Sequence, residues 1–303
     1  MREGQPSKTA LGVARGLVFA AADPTLGPLC PPRAGDYAEK ILGAQSRTQA
    51  IELKLLSQTW YRALGRVHER IWVRGGFLHL ALRKRFIDDS VRAALADGAE
   101  QLVVIGGGLD TLALRIAEDE PSRHVFELDH PDSQAAKRRG LDALPPRPAN
   151  FHLEGVDLAQ HALPDVLARI QAFEAAKPTV FVAEGLLMYL DHDDVKRLLD
   201  GIANTAPAHS RIVFTFLSAD ELGRPVIGHA AARTRFLLKL YGEPLRSGIH
   251  PERLGEYLRE RGFALREHWD ERRLLARYLP ERDAARTPLL DWEYAAIADR
   301  GSV

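Results

Sequence analysis

The first third of the chain carries apolar residues at helical spacing and no segment typical of a strand. Two stretches, residues 51–70 and 77–96, have apolar positions every three or four residues, which marks one face of a helix. In the first stretch these positions are Leu53, Leu56, Trp60, Leu64 and Val67. Gly98 follows the second stretch, as a glycine commonly does after a helix end. We predict that residues 1–98 form a helical cap on a second domain, residues 99–303.

Beyond residue 98 the pattern changes to short apolar runs separated by helical stretches. Strands are predicted at residues 102–105, 125–128, 151–156, 179–183, 211–217, 263–267 and 292–297. Helices are predicted between them at residues 111–117, 132–139, 166–176, 193–203 and 251–261. This alternation favours right-handed βαβ units and a mostly parallel sheet. We therefore expect an α/β, Rossmann-like fold of seven strands, with the last two paired as a hairpin and the final one at the sheet edge.

One segment, residues 218–250, interrupts this alternation after the fifth predicted strand. It contains a helical piece of its own at residues 230–241. Ligands bind at the carboxyl ends of the strands in open α/β sheets, so an insertion at that place is well positioned to cover a ligand. We expect the insertion and the helical cap to close together as a lid.

Composition narrows the classes of function. The 303 residues include 41 Lys and Arg against 41 Asp and Glu, so the net charge is zero, which argues against a nucleic-acid binder or a polybasic membrane anchor. The single cysteine, Cys30, cannot form an intrachain disulfide, and the eleven histidines show no metal-ligand spacing. Because no signal peptide or membrane span is apparent, we expect a cytoplasmic protein with no metal and no nucleic-acid or membrane partner. Its oligomeric state is left open.

A glycine loop stands between the first predicted strand and the helix after it. Gly106, Gly107 and Gly108 allow a sharp turn and a close approach of the backbone to a ligand. A dinucleotide-binding loop would have a third spaced glycine at position 111, where this chain has Thr111. Asp110 would be unfavourable beside a pyrophosphate and suits a cofactor with a positive centre.

Acidic residues follow the next three predicted strands. Asp129 is placed to accept hydrogen bonds from the two ribose hydroxyls of a nucleoside, and Glu127 is the competing candidate. Asp157 and Leu158 could frame an adenine, although Asp after a strand is also a common helix cap. Glu184 stands in an apolar run and needs a cationic partner, which is either the cofactor or a buried arginine.

These residues resemble the leucine carboxyl methyltransferase family of S-adenosyl-L-methionine-dependent enzymes, which includes bacterial polyketide-tailoring O-methyltransferases. The similar segments are Arg83–Asp89 (RKRFIDD), Gly106–Thr111 (GGGLDT) with Arg115, Phe126–Pro131 (FELDHP) with Lys137, Asp157–Leu158, Glu184–Leu190 (EGLLMYL) and, at the amino end, Thr9–Ala20. They occur in order over residues 8–270. The family usually has Gly-Ala-Gly where this chain has three glycines.

The resemblance implies a role for each matching position. Arg83 would bind the carboxylate of the methionine part of the cofactor, and the backbone of Gly106 and Gly108 would face that part. Asp129 would hold the ribose. The remaining cofactor contacts implied are Asp157 and Leu158 at the adenine and Glu184 near the methionine amino group. Arg115 and Lys137 are better explained by ion pairs within the domain.

The acceptor is the least determined part of the prediction. A carboxylate acceptor is already ionised and needs no base, whereas a hydroxyl acceptor would need one, with His192, His250 and His268 as candidates. We therefore expect methyl transfer to a carboxylate of a small molecule in secondary metabolism, with Tyr189 and Arg246 near the acceptor and no catalytic residue assigned. The alternatives are O-methylation of a polyketide-like hydroxyl or phenol, an NAD-dependent oxidoreductase, and a cofactor-binding protein without activity.

Overall fold

A seven-stranded sheet forms the centre of the protein. The structure, a computed structural model, describes residues 7–56, 58–227 and 243–301. The strands are β1 (Gln101–Ile105), β2 (His124–Asp129), β3 (Phe151–Gly155), β4 (Thr179–Ala183), β5 (Arg211–Leu217), β6 (Phe263–Trp269) and β7 (Glu293–Arg300). The predicted α/β fold is confirmed, and each predicted strand begins and ends within three residues of the corresponding observed strand.

The strand order is β3-β2-β1-β4-β5-β7-β6. The first five strands in this order are parallel, and β7 runs antiparallel to both β5 and β6. The predicted hairpin pairing of the last two strands is therefore confirmed. The prediction that the final strand lies at the edge is wrong, because β7 lies between β5 and β6. Its centre is a buried run of small and apolar residues, Ala295–Ala298, which is typical of an interior strand.

Helices cover both faces of the sheet. They are α1 (Lys8–Ala22), α2 (Ala34–Gly43), α3 (Arg47–Leu56), α4 (Thr59–Trp72), α5 (Gly76–Ala96), α6 (Leu112–Asp119), α7 (Pro131–Leu141), α8 (Leu163–Ala168), α9 (His192–Thr205), α10 (Leu254–Arg259) and α11 (Glu271–Tyr278). In the described ranges, no helix is long and apolar enough to span a membrane.

The helix predictions need three corrections. The first third of the chain forms five helices where two were predicted, since residues 51–70 divide between α3 and α4 and the patterns of α1 and α2 were missed. The helix predicted at 166–176 is the shorter α8, which starts beside Pro164 at its amino end. Helix α11 was missed because only two adjacent leucines, Leu274 and Leu275, are apolar and buried in it. The helical piece at 230–241 lies outside the described residues.

Two buried clusters lie on opposite faces of the sheet. One joins α1, α2, α5 and α6 to a face that includes Val104 and Val182. The other joins α8, α9 and α10 to the face that includes Val103 and Phe181. Helix α5 packs directly on the sheet, and α1 packs on α5. The domain boundary at residue 98 stays a prediction.

Candidate functional site

The glycine loop lies at the carboxyl end of β1. Strand β2 lies on one side of β1 and β4 on the other, so the order of the strands reverses at this point. Gly106 has a φ of +71° and Gly108 a φ of +54°, which glycine adopts without strain. Gly107 leaves room for the side chain of Glu127, because a Cβ at position 107 would lie 2.6 Å from Cδ of Glu127 and would require that side chain to shift. Each of the three glycines therefore has a local reason, and together they bring backbone to the edge of a cavity.

Two adjoining cavities meet beside this loop. The first, about 260 Å³, is lined by the loop, α1, the Arg83–Lys84 turn of α5 and residues 184–189. The second, about 500 Å³, lies over the ends of β2 and β3. Both are lined by Ile105, Gly106, Asp129 and Leu186. The structure brings all predicted site residues to these two cavities: Arg83, Gly106, Gly108, Asp129, Glu184, Tyr189 and Arg246 line the first, and Asp157 and Leu158 line the second.

Asp129 lies where the two cavities meet. Its Oδ2 accepts a 2.5 Å hydrogen bond from the Gly108 amide, and its Oδ1 accepts a 2.6 Å bond from the His130 amide. Burial raises the pKa of Asp129, and the two amides oppose that shift. A carboxylate has about four acceptor positions, so both oxygens keep capacity for a ligand.

Glu127, the competing candidate for the ribose, lies under the loop. Both of its oxygens are 2.5 Å from Nζ of Lys137, and both side chains are buried. Glu127 does not line either cavity. This geometry favours Asp129 as the ribose ligand.

A buried ion-pair network surrounds Arg83. Its Nε donates a 2.9 Å bond to Oε1 of Glu184, and its Nη1 donates a 2.9 Å bond to Oε2 of Glu293 on β7. Lys84 Nζ also lies 2.9 Å from Oε1 of Glu184. Glu184 thus has a cationic partner within the protein, the buried Arg83, which was one of the two partners expected from the sequence. Oε2 of Glu184 is buried and has no partner among the described residues.

The remaining charges near the loop are also paired. Although burial acts to raise the pKa of Asp110, the charges of Lys84, Arg115 and Lys137 lower it to about 2. Asp110 lies 3.3 Å from Nζ of Lys84 and accepts a bond from the Thr111 amide. Arg115 pairs with Asp88 at 2.5 Å, so Arg115 and Lys137 both make ion pairs inside the protein.

Asp157 and Leu158 follow β3 at the second cavity. Oδ1 of Asp157 accepts a 2.9 Å bond from the Ala159 amide, and Oδ2 accepts a 3.0 Å bond from the side chain of Gln160. The carboxylate thus stabilises its own turn, and Leu158 contributes partly buried apolar surface beside it.

Tyr189 and Arg246 also line the first cavity. Tyr189 ends a short 3₁₀ turn, Leu187–Tyr189, and the amide of Arg246 donates a 2.8 Å bond to the carbonyl of Met188. Burial raises the pKa of Tyr189 to about 12, so its phenol stays protonated and can donate. The Arg246 guanidinium is half exposed, 4.0 Å from Asp191.

Most of the lining of the first cavity that was not predicted from the sequence comes from helix α1. Ala10, Val13, Ala14 and Leu17 face the first cavity, together with Ser7 and Thr9. Their spacing of three and four residues is the signal that could have found them, but small residues weaken it. Arg15, on the same helix, pairs with Glu52 at the surface. Lys84 and Glu243 were also missed. Among the described residues, no group of three or more Cys, His, Asp or Glu side chains could hold a metal.

This arrangement defines a class. A seven-stranded sheet with one reversed strand, a glycine loop after β1 and an acid at the end of β2 is the class I methyltransferase fold. The chain belongs to the leucine carboxyl methyltransferase family, whose model matches residues 20–203.

Several known proteins are similar to this chain. A candidate S-adenosyl-L-methionine-dependent methyltransferase of Mycolicibacterium smegmatis is 40% identical over 135 residues, which is 44% of each chain. A protein described in the same way from Parafrankia is 34% identical over 135 residues, 44% of this chain and 43% of the relative. The matches thus span less than half the length of these curated relatives.

Solved structures agree on the fold. A candidate methyltransferase from Thermobifida fusca superposes with a TM-score of 0.57 at 16% identity, over 87% of this chain and 94% of that one. A DUF574 family protein from Streptomyces avermitilis gives a TM-score of 0.56 at 17% identity, over 79% and 90%. The comparisons confirm the predicted family, and the relatives are described as dependent on S-adenosyl-L-methionine.

Proposed function

We propose that the protein transfers the methyl group of S-adenosyl-L-methionine to a carboxylate oxygen of a small molecule of secondary metabolism and so forms a methyl ester. The observation that carries the choice of acceptor is the pair of donors in the first cavity, the protonated phenol of Tyr189 and the guanidinium of Arg246. Both favour an anionic group.

The described residues fit the cofactor. Bound S-adenosyl-L-methionine supplies a methyl group on a positively charged sulfur. The first cavity is lined by three cationic side chains (Arg83, Lys84 and Arg246) and four anionic ones (Asp110, Asp129, Glu184 and Glu243). The lining therefore carries one net negative charge, which suits a ligand with one net positive charge.

The two cavities suit the two ends of such a molecule. Asp129, at their junction, would accept hydrogen bonds from the ribose. Leu158 and the Asp157 turn would contact the adenine in the second cavity. In the first cavity, the unpartnered Oε2 of Glu184 would accept a hydrogen bond from the methionine ammonium. Arg83 would bind the methionine carboxylate through Nη2. The hydrogen bonds described for Arg83 use Nε and Nη1, and Nη2 lies 4.0 Å from the position that a Cβ on Gly185 would take.

Transfer from a sulfonium to an oxygen depends on alignment of donor and acceptor. Arg246 and Tyr189 would hold the acceptor carboxylate. The hydrogen bond from the Arg246 amide to the carbonyl of Met188, the residue before Tyr189, fixes the two backbone segments relative to each other. A carboxylate is ionised near neutral pH, so no proton has to be removed in the reaction. The bases considered for a hydroxyl acceptor, His192, His250 and His268, line neither cavity.

Two measurements test the proposal. Calorimetric titration should show binding of S-adenosyl-L-methionine and S-adenosylhomocysteine and no binding of NAD; the reverse result would indicate an oxidoreductase. Methyl-labelled cofactor should then be incubated with a panel of small carboxylic acids and phenols. Methyl esters release volatile methanol in alkali and methyl ethers do not. Alkali-stable product would overturn the carboxylate assignment, and binding without turnover of any acceptor would favour a non-catalytic protein.

A further inference from the structure

The reversed strand brings an acidic residue to the edge of the sheet where the first cavity lies. Glu293 is the first residue of β7, and it pairs with Leu217, the last residue of β5. Because β7 is antiparallel to β5, its amino end lies at the carboxyl ends of the parallel strands. The Glu293 side chain is buried and lines neither the first nor the second cavity. Glu293 can therefore act on a ligand only through another residue.

Arg83 is the residue between Glu293 and the first cavity. Its Nη1 donates to both carboxylate oxygens of Glu293, at 3.0 and 2.9 Å, and its Nε donates to Glu184 at 2.9 Å. A guanidinium is planar and carries its donors in a fixed fork, so two anchored nitrogens determine where the third one points. That third nitrogen, Nη2, lies 4.0 Å from the position that a Cβ on Gly185 would take, and Gly185 lines the first cavity.

Glu293 is itself held from two further sides. Nε2 of His79 lies 2.7 Å from its Oε2. Burial acts to raise the pKa of Glu293, but the charges of Arg83 and His79 lower it to about 2, and a hydrogen bond with the Thr215 side chain acts in the same direction. The Thr215 hydroxyl also accepts a 2.8 Å bond from the amide of Gly185. The carboxylate is thus ionised, fixed in place and connected to both Arg83 and the Gly185 turn.

We propose that Glu293 is a positioning residue for the cofactor, which fixes the Arg83 guanidinium so that Nη2 meets the methionine carboxylate. The inference rests on the proposed function, in which Arg83 binds that carboxylate. Without Glu293, the guanidinium would be anchored only by Glu184, whose Oε1 is shared with Nζ of Lys84. The ligand would then have to order the Arg83 side chain on binding, and this ordering lowers affinity.

A purely structural ion pair is the competing explanation for the contact between Glu293 and Arg83. Removal of one partner of a buried pair destabilises the fold in either case, so a loss of stability does not distinguish the two roles. A structural defect would weaken every contact of the cofactor alike. A positioning role instead concerns the methionine carboxylate alone, because the ribose would be held separately by Asp129 and the adenine by the second cavity.

Calorimetric titration with two ligands tests the proposal. The ligands are S-adenosyl-L-methionine and its decarboxylated form, which lacks only the methionine carboxylate. The wild type should prefer S-adenosyl-L-methionine by about tenfold or more. In Glu293→Gln the affinity for S-adenosyl-L-methionine should fall about tenfold, and the affinity for the decarboxylated form should stay within about twofold. Glu293→Asp keeps the charge but is one methylene shorter, so it should retain part of the preference.

The matched control is Asp88→Asn. Asp88 is a similarly buried carboxylate that pairs with Arg115 and lines neither cavity. This variant should lower the melting temperature and keep the preference for S-adenosyl-L-methionine. Thermal melting shows whether each variant is folded. If Glu293→Gln is not folded, the comparison is made in Glu293→Asp, where the preference should fall about threefold or more.

The outcomes separate this inference from the proposed function. The role of Glu293 is overturned if its folded variants keep the wild-type preference or lose affinity for both ligands equally. It is also overturned if Asp88→Asn loses the preference as strongly as Glu293→Gln does. A wild-type protein that binds neither ligand would overturn the proposed function itself. A wild-type protein that binds both equally well would overturn the carboxylate role of Arg83, and this inference with it.

Discussion

Ser7 and Glu243 are 236 positions apart in the chain and joined by a 3.0 Å hydrogen bond from the Ser7 hydroxyl to Oε2 of the glutamate. The amides of Lys8 and Thr9 donate to the same carboxylate at 3.1 Å. Glu243 thus caps the amino end of α1, where a negative charge is favourable. The link joins the predicted insertion to the predicted cap beside the first cavity, which supports our proposal that the two close together as a lid.

We expect Glu243→Gln to loosen α1. The variant weakens the cap by removing the negative charge and part of the hydrogen bonding, at a cost of about 0.5–2 kcal/mol at the end of the helix. Hydrogen exchange in peptides covering residues 8–22 should become faster. Glu221→Gln, in an exposed turn of the same insertion, should leave it unchanged. Equal exchange in wild type and Glu243→Gln would show that the cap does not hold α1.

Ligand binding should act on the same helix. We expect S-adenosylhomocysteine to slow exchange in α1 and in the glycine loop, because both line the first cavity. Helix α5 should change little, since most of it is already buried against the sheet. Protection of the loop without any change in α1 would contradict closure of the lid on the cofactor.

The ribose assignment can be tested by a matched pair of variants. Asp129→Asn should weaken S-adenosylhomocysteine binding by about 1.5–3 kcal/mol, because a charged acceptor for the ribose hydroxyls is lost. Glu127→Gln should leave affinity close to wild type but lower the free energy of unfolding by about 3–5 kcal/mol, because Lys137 loses its buried partner. Calorimetry and urea unfolding separate the two effects. If affinity falls only in Glu127→Gln, Glu127 is the ribose ligand.

His79 should make stability depend on pH. Its Nε2 lies 2.7 Å from Oε2 of Glu293 and its Nδ1 lies 3.7 Å from Glu271. Burial opposes the charged imidazole, but the two carboxylates outweigh it and raise the pKa of His79 to about 9. Between pH 6.5 and about 9 the folded protein keeps a proton that the unfolded chain, with a histidine pKa of about 6.5, releases.

The free energy of unfolding should therefore fall by about 1.4 kcal/mol per pH unit as pH rises through that window, and the full contribution is present below it. Urea unfolding at several pH values should show this slope in the wild type and in His192→Gln, which changes an exposed histidine. His79→Gln should remove most of it. The same slope in His79→Gln would assign the effect to another group.

The strands and the glycine loop could be predicted because their signals are local. Short runs rich in β-branched residues, such as Thr179–Ala183, and three adjacent glycines are visible within a few positions. The pairings of Arg83 with Glu184 and Glu293 span 101 and 210 positions, so no local pattern shows them. The sequence did not show that α1 lines the first cavity, because several of the lining residues are small. The apolar side of α4 is exposed, which is an exception to the rule that a helix buries its apolar face.

The carboxylate of Glu127 occupies the place that a side chain on Gly107 would take, and Lys137 holds it there. A methyl group added at position 107 would require the buried Glu127 side chain, and with it the ion pair to Lys137, to shift. The alanine that is usual in the family at this position therefore requires the acid and the lysine to shift, and a transplanted loop would need both of them beneath it.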